Sequence, residues 1–244
     1  MKNKLVQVLT NLLYPENFKC VFCGDELPKA DRVSTCSHCQ KNLSFIKSEN
    51  TCKKCGDKIT GTGKYCYNCK GYKRKFDMAA APFVYEGKVK DVVHKFKYDN
   101  AKYLFYPSAS FMARVFFEKV QYADLIIPVP MHAKAKKKRG YNQAEMLALS
   151  LAEITGIKCE SEVLVKEHET QKQADLDFKD RQENLKSAFK IKDKQKIKGK
   201  LVVLVDDILT SGATANECSA VLKKAGAKKV VVLTLARTHY NKLK

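Results

Sequence analysis

From Phe76 onward, short apolar runs alternate with stretches in which apolar residues recur every three or four positions. Residues 78–85 predict a strand, Val89, Val92, Val93 and Phe96 share one helix face, and a further helix carrying Phe111, Met112 and Val115 follows Pro107. Residues 125–129 read as a buried strand, and 142–155 have helical periodicity that ends at Gly156. The β-rich run at 201–205 is of the kind found in parallel sheets. Residues 214–225 are helical up to Gly226, and 230–235 form another buried strand. A strand, helix, strand unit of this kind predicts an α/β fold with a parallel sheet.

Two segments stand outside that alternation. Leu5, Leu9, Leu12 and Leu13 fall at helical spacing, which predicts a short amphipathic helix ending before Pro15. Gln7, Thr10 and Asn11 interrupt it and no small-residue cleavage site follows, so it does not read as a secretory leader. No apolar run approaches the ~20 residues of a membrane-spanning helix, so no transmembrane segment is expected. Residues 168–184, HETQKQADLDFKDRQEN, are polar and weakly periodic; a lid and a solvated connector both fit.

The cysteines change the picture for the first third of the chain. Eight of ten lie between residues 20 and 69, as Cys20/Cys23, Cys36/Cys39, Cys52/Cys55 and Cys66/Cys69. A two-residue gap lets two thiolates of a tight turn point at one tetrahedral ion, and two such knuckles complete a four-sulfur shell for Zn2+. A disulfide framework competes, but without a leader the thiols are expected to stay reduced. Ribbon-sized gaps favour neighbouring knuckles, which would give Cys20, Cys23, Cys36, Cys39 and then Cys52, Cys55, Cys66, Cys69; interleaving would give a cross-brace. Sites closed by protein ligands leave no position for water, so two structural zinc ions are expected. Cys159 and Cys218 stand alone and read as small apolar residues. CxxC pairs vanish after the basic joint GYKRKF, which sets a boundary near residue 75: a Cys-rich zinc-binding part, 1–75, and an α/β domain, 76–244.

Lys and Arg number 46 against 26 Asp and Glu, a formal net charge of +20. Two four-thiolate zinc sites would lower it only to about +16. Such an excess favours a polyanionic partner, nucleic acid or a phosphate-rich small molecule. Lys73, Arg74 and Lys75 follow Tyr65, Tyr67 and Tyr72 and precede Phe76. Basic residues interleaved with rings could bind single-stranded DNA, or the rings could pack on a small zinc core. Lys134, Lys136, Lys137, Lys138 and Arg139 form a second cluster, for which phosphate binding, nucleic-acid contact and a solvated basic loop all remain open.

The chemistry concentrates in LVVLVDDILTSGAT, residues 201–214. A buried strand ends in two acids, and a small polar loop leads into a helix. In open α/β sheets, ligands collect beyond the carboxyl ends of strands, and a helix N-terminus offers N–H groups to an anion. Thr210, Ser211, Gly212, Ala213 and Thr214 could cup a phosphate. Asp206 and Asp207 would repel one, and instead suit sugar hydroxyls or a divalent cation. Together they suggest a ribose 5-phosphate. A helix-capping role explains one of these residues but not the run. No GxxxxGK[ST] is present to hold a nucleoside triphosphate.

This stretch resembles the phosphoribosyltransferase signature. With IIPVPMHAKAKKKRGYNQAEMLALSLAE (126–153), YEGKVKDVVHKFKY (85–98), Thr170, Gln173, Leu176, Arg181, Asn184, Ala188, Phe189 and the cysteine knuckles, the chain resembles the competence ComF family (ComFC) over essentially its whole length. The resemblance implies a type I phosphoribosyltransferase-like parallel sheet flanked by helices, preceded by a small zinc ribbon. It implies that phosphoribosyl pyrophosphate binds with Mg2+, its ribose on Asp206 and Asp207, its 5-phosphate on residues 210–214 and its pyrophosphate near Arg139. Residues 170–184 look like the flexible loop over the donor, although Gln171 and Lys172 replace prolines common there and Lys166 a frequent Arg. The family is implicated in natural transformation, so single-stranded DNA, a competence helicase and the inner-membrane DNA channel are implied partners. A cytoplasmic location, peripheral at the inner face of the membrane, is implied with them. Transfer of ribose 5-phosphate to an acceptor is the alternative activity, and no acceptor-binding residues can be named.

Overall fold

A computed structural model of the chain describes residues 19–27, 35–47, 49–59, 62–168 and 187–239. The amphipathic helix expected over residues 5–13 lies outside them, as do Thr170, Gln171, Lys172, Gln173, Leu176, Arg181 and Asn184 of the expected loop. The chain forms two compact units, Met1–Leu43 and Ser44–Lys244.

In the first unit a knuckle turn closes through Cys20 N–H to Asp25 O (2.7 Å) and Gly24 N–H to Cys20 O (2.8 Å). Helix α1 (Ser37–Asn42) then starts at Cys36, whose sulfur accepts from Cys39 N–H at 3.4 Å. The second unit opens on the same local plan. Cys52 N–H donates to Asp57 O (2.6 Å), Gly56 N–H to Cys52 O (2.8 Å), and α2 (Tyr67–Gly71) starts at Cys66. Here the cysteines enter the main core: Cys52, Cys55 and Cys66 are buried with Phe76, Ala79 and Leu209. Lys54 O accepts from Ala79 N–H at 2.8 Å. That close approach needs Gly56, which sits at φ +71° where a Cβ would lie 3.0 Å from Ala79 O.

The sheet is parallel throughout, in the order β1 (Met78–Ala80), β7 (Lys229–Arg237), β6 (Leu201–Leu209), β3 (Leu125–Pro128). Strand β2 (Phe83–Val84) pairs further along β7. The single strand expected over 78–85 is therefore two, broken at Ala81–Pro82, where proline has no N–H for the ladder. Val202 to Val205 and Val230 to Leu233 are fully buried, as parallel strands covered on both faces should be.

Helix α3 (Gly87–Tyr98) buries the expected face of Val89, Val92, Val93 and Phe96. Helix α4 (Phe105–Lys119) begins before Pro107 rather than after it, because proline is tolerated in a first turn where the N–H has no partner anyway. Helix α5 (Ala133–Arg139) takes up the basic stretch read from sequence as a loop. Helix α6 (Gln143–Thr155) ends at the left-handed Gly156, and α7 (Ala213–Lys224) joins β6 to β7 in the expected parallel crossover. A two-stranded antiparallel sheet, β4 (Leu164–Lys166) with β5 (Phe189–Ile191), was not expected; three residues are too few to reveal a period of two.

Candidate phosphate site and metal centres

Strand β6 does not stop at the acids. It continues through Asp206 and Asp207 to Leu209, pairing Asp206 with Thr234, Ile208 with Ala236 and Leu209 with Arg237. The strand ladder thus carries the two carboxylates, and successive strand positions turn them to opposite faces. Asp207 meets α3, its carboxylate 3.3 Å from the Lys97 ammonium. Burial opposes the charge on Lys97, but attraction to Asp207 and the hydrogen bond to it hold the ammonium above its ordinary pKa. Asp206 accepts from the Asp207 N–H at 2.9 Å. Desolvation first, and then the neighbouring Asp207 charge, push its carboxyl well above the usual range. On α7, burial and then Asp206 likewise raise the Cys218 thiol.

The loop that follows is shaped as a cradle. Thr210 is exposed and Ser211 is buried, with its oxygen accepting from Ala213 N–H at 3.3 Å. Gly212 enters α7 at φ +77° and offers no side-chain cap, and Thr214 is half-buried in the first turn. First-turn N–H groups lack intrahelical partners, so this end of α7 carries partial positive charge with hydroxyls beside it.

The RGYNQ turn lies at the end of β3 and each of its residues is tied down. Gly140 caps α5 at φ 89°, and Asn142 both donates to Val129 O (2.9 Å) and caps Ala144 N–H (3.1 Å). Tyr141 and Gln143 donate to the Phe96 carbonyl at 2.6 and 3.2 Å, while Arg139 donates to Gln143 Oε1 at 2.8 Å. Arg139 is half-buried; Lys136, Lys137 and Lys138 are exposed, with Lys136 paired to Glu145 at 2.6 Å. Lys97 lies in the stretch that carried the family resemblance but had no role assigned; no sequence-local signal marks its ion pair.

Of the basic joint, Lys73 and Lys75 are exposed, whereas Arg74 and Phe76 are buried. Arg74 is thus separated from the surface reading that grouped it with the two lysines. Cys218 is fully buried as expected, and Cys159 is half-buried with burial raising its thiol to about 11.

The cysteines gather as neighbouring knuckles. The sulfurs of Cys20, Cys23, Cys36 and Cys39 lie within 4.8 Å of one another, and so do those of Cys52, Cys55, Cys66 and Cys69. Within each set one pair, Cys23 with Cys36 and Cys55 with Cys66, lies 3.6 Å apart. Zn–S bonds of about 2.3 Å in a tetrahedron require sulfurs about 3.8 Å apart, so both sets fit zinc as a closed structural site.

Residues 9–70 match the double zinc ribbon domain family, and residues 109–243 match the phosphoribosyl transferase domain family. These matches define a class: a zinc ribbon followed by a phosphoribosyltransferase-type α/β domain. Competence protein F of Haemophilus influenzae is 32% identical over 231 residues, covering 91% of this chain and 97% of that protein. Competence protein ComFC of Streptococcus pneumoniae is 29% identical over 234 residues, 90% of this chain and 100% of that one. The DNA utilization protein YhgH of Escherichia coli is 27% identical over 212 residues, 83% and 90% of the two chains. The chain belongs to the ComF family of competence proteins.

Proposed function

We propose that the chain handles single-stranded DNA in natural transformation and binds phosphoribosyl pyrophosphate at the turn from β6 to α7. The observation that carries the second half is the sequence of groups at that turn: a carboxylate paired with Lys97, then hydroxyls and an uncapped helix start. Thr210, Thr214 and the N–H groups from Ser211 to Thr214 would take the 5-phosphate. Asp207 would accept from a ribose hydroxyl, with Asp206, the preceding strand residue, turned to the other face. Lys97 and Arg139 would face the pyrophosphate. The Asp207 carboxylate is a hard oxygen donor suited to Mg2+ arriving with the ligand, whose contribution would be to screen pyrophosphate charge.

For DNA, the support is an exposed basic and aromatic surface around α2. Tyr67 is 90% exposed and Tyr65 45%. Tyr67, Asn68, Lys70, Gly71 and Tyr72 line an open depression of about 440 Å³, with Lys73 and Lys75 exposed next in the chain. Rings flanked by cations are the composition of a single-strand platform. Phe76 is fully buried and belongs to the core instead. Lys137 and Lys138 offer a second basic strip; Lys136 is neutralised by Glu145. The names of the relatives, competence and DNA utilization, support this direction. Within it, the competence helicase and the inner-membrane DNA channel are the proposed partners, and the cytoplasmic face of the membrane the proposed place. No helix among the described residues is long and apolar enough to cross a membrane.

A second reading, transfer of ribose 5-phosphate to an acceptor, draws support from Lys97, an ammonium paired with Asp207 that could stabilise the negative charge of a departing pyrophosphate. Calorimetry with phosphoribosyl pyrophosphate and Mg2+, on the zinc-loaded protein and on Asp206→Ala/Asp207→Ala, tests the ligand site, with labelled single-stranded DNA titrated in parallel. Saturable binding lost in the double variant supports the site. Salt-sensitive DNA binding without any ligand binding would leave the turn as scaffold only.

A further inference from the structure

The basic joint between α2 and β1 sends one side chain inward. Arg74 is only 8% exposed, and its Nε and Nη1 are buried with no hydrogen-bond partner among the described residues. Its guanidinium lies over the Tyr72 ring at 4.9 Å and near the Phe76 ring at 5.9 Å. Nη1 lies 3.1 Å from where a Cβ on Gly212 would sit. The guanidinium therefore abuts the loop of residues 210–214, and Gly212 is what leaves room for it.

The segment is held there. The side chain of Asn216, at the end of the first turn of α7, accepts from Lys75 N–H at 2.8 Å and donates to the Tyr72 hydroxyl at 3.1 Å. Those bonds bracket Arg74 on both sides, so its position is set by α7 itself. A cavity of about 10 Å³ is lined by Arg74 together with Thr210, Ser211 and Gly212, and by Arg237, Asp57 and Cys55. Arg237 there is already matched, by Asp57 at 3.0 Å and by the Cys55 carbonyl. Among the described residues, Arg74 Nε and Nη1 have no such match. Leaving a charged group desolvated without a counter-ion is costly, and two unused N–H donors add to the cost.

We propose that Arg74 is a positioning residue for anion binding: from behind Gly212 it supplies the buried positive charge that a phosphate group completes when it binds the Thr210–Thr214 loop. The proposal rests on the phosphoribosyl reading of that loop and adds to it a residue from the cysteine-rich segment. In a low-dielectric interior the attraction acts through the loop without direct contact. The ligand-free protein thus carries an uncompensated charge, and the phosphate-bound protein does not. One alternative partner lies on the same cavity wall: the thiolates of Cys55 and Cys66 in a zinc-loaded cluster.

The test uses the zinc-loaded full chain, wild type, Arg74→Met, Arg74→Lys and Asp206→Ala/Asp207→Ala, titrated with inorganic phosphate and ribose 5-phosphate. Arg74→Met should weaken both ligands about tenfold or more, while Arg74→Lys stays within about threefold of wild type. Without ligand, Arg74→Met should melt no lower than wild type and keep its zinc, and its phosphate-induced rise in melting temperature should be lost. A lower ligand-free melting temperature or failure to fold, zinc loss, or an unchanged ligand response would assign Arg74 to the thiolates and overturn the proposal. Ribose 5-phosphate binding that needs Arg74 but not Asp206 and Asp207 would sink the ribosyl reading and keep the anion role. The reverse would do the opposite, and a wild type that binds neither ligand would overturn both.

Discussion

The hydroxyl of Tyr141 donates to the carbonyl of Phe96 at 2.6 Å, joining the RGYNQ turn to the last turn of α3 one residue before Lys97. Gln143 donates to the same carbonyl and receives Arg139, so a motif in one loop fixes the base of a lysine on another element. Lys97 in turn meets Asp207 across the sheet edge.

Tyr141→Phe should therefore act at a distance. The ring is 6% exposed and can stay in place, so the change removes one buried hydrogen bond while Gln143 still satisfies the carbonyl. A stability loss of about 1 kcal/mol is expected by denaturant unfolding. Binding of phosphoribosyl pyrophosphate should weaken severalfold although no charge has changed. Equal affinity in the variant would disconnect the RGYNQ turn from the ligand site.

Asp206 gives the stability a pH dependence with a definite sign. Its carboxyl is raised in the folded protein by desolvation and by Asp207, with Lys97 opposing the shift. As pH rises above the ordinary carboxylate value, the unfolded chain releases this proton while the folded chain keeps it. The folded state then binds more protons, so its stability falls with pH until the raised folded value is passed. Asp206→Asn carries no proton to release. Its melting temperature, measured from pH 4 to 7, should gain on that of wild type as pH rises; parallel curves would mean that Asp206 is already ionised.

Much of this was legible in the chain because it is local. The CxxC spacings predicted both sulfur clusters, and VDDILTSGAT predicted the order of a strand, a loop and a helix start. What was not legible is what the tertiary fold brings together. Lys97 and Asp207 are 110 positions apart in the numbering, Arg74 reaches Gly212 across the core, and Arg237 closes on Asp57 from the far end of β7. Within KRK the burial alternates, with Lys73 and Lys75 exposed and Arg74 buried, so three consecutive basic residues do not make one exposed patch. Even the strand end was misplaced, since two acids look like a terminator until β7 is seen to pair beyond them.

The two sulfur clusters should differ in what their loss does. The protein should carry two zinc ions per chain by metal analysis, and Cys36→Ser and Cys66→Ser should each leave one. Cys66 is packed with Phe76, Ala79 and Leu209 in the core of the larger unit, whereas Cys36 belongs to Met1–Leu43. Cys66→Ser should lower the main melting transition by several degrees or more, because the binding energy of that metal is folding energy for the sheet's own unit. Cys36→Ser should leave the main transition within about a degree or two. Equal losses from the two variants would reject this division.

Cations and rings in the α2 surface make separable contributions to DNA binding, and salt tells them apart. Each lysine that neutralises a phosphate of a single strand releases counter-ions and contributes about 0.7 to the slope of log affinity against log salt. Lys73→Ala/Lys75→Ala should thus flatten that slope by about 1.4 as well as weaken binding. Tyr67 is the most exposed large ring on the described surface and carries no charge. Tyr67→Ala should cost about 1–3 kcal/mol of affinity, the value of one stacked base, with the slope unchanged. Fluorescence anisotropy with a labelled oligonucleotide at four or five salt concentrations measures both. If the lysine variant keeps the wild-type slope, the strand runs elsewhere, and the same series on Lys137→Ala/Lys138→Ala then decides whether the α5 strip carries it.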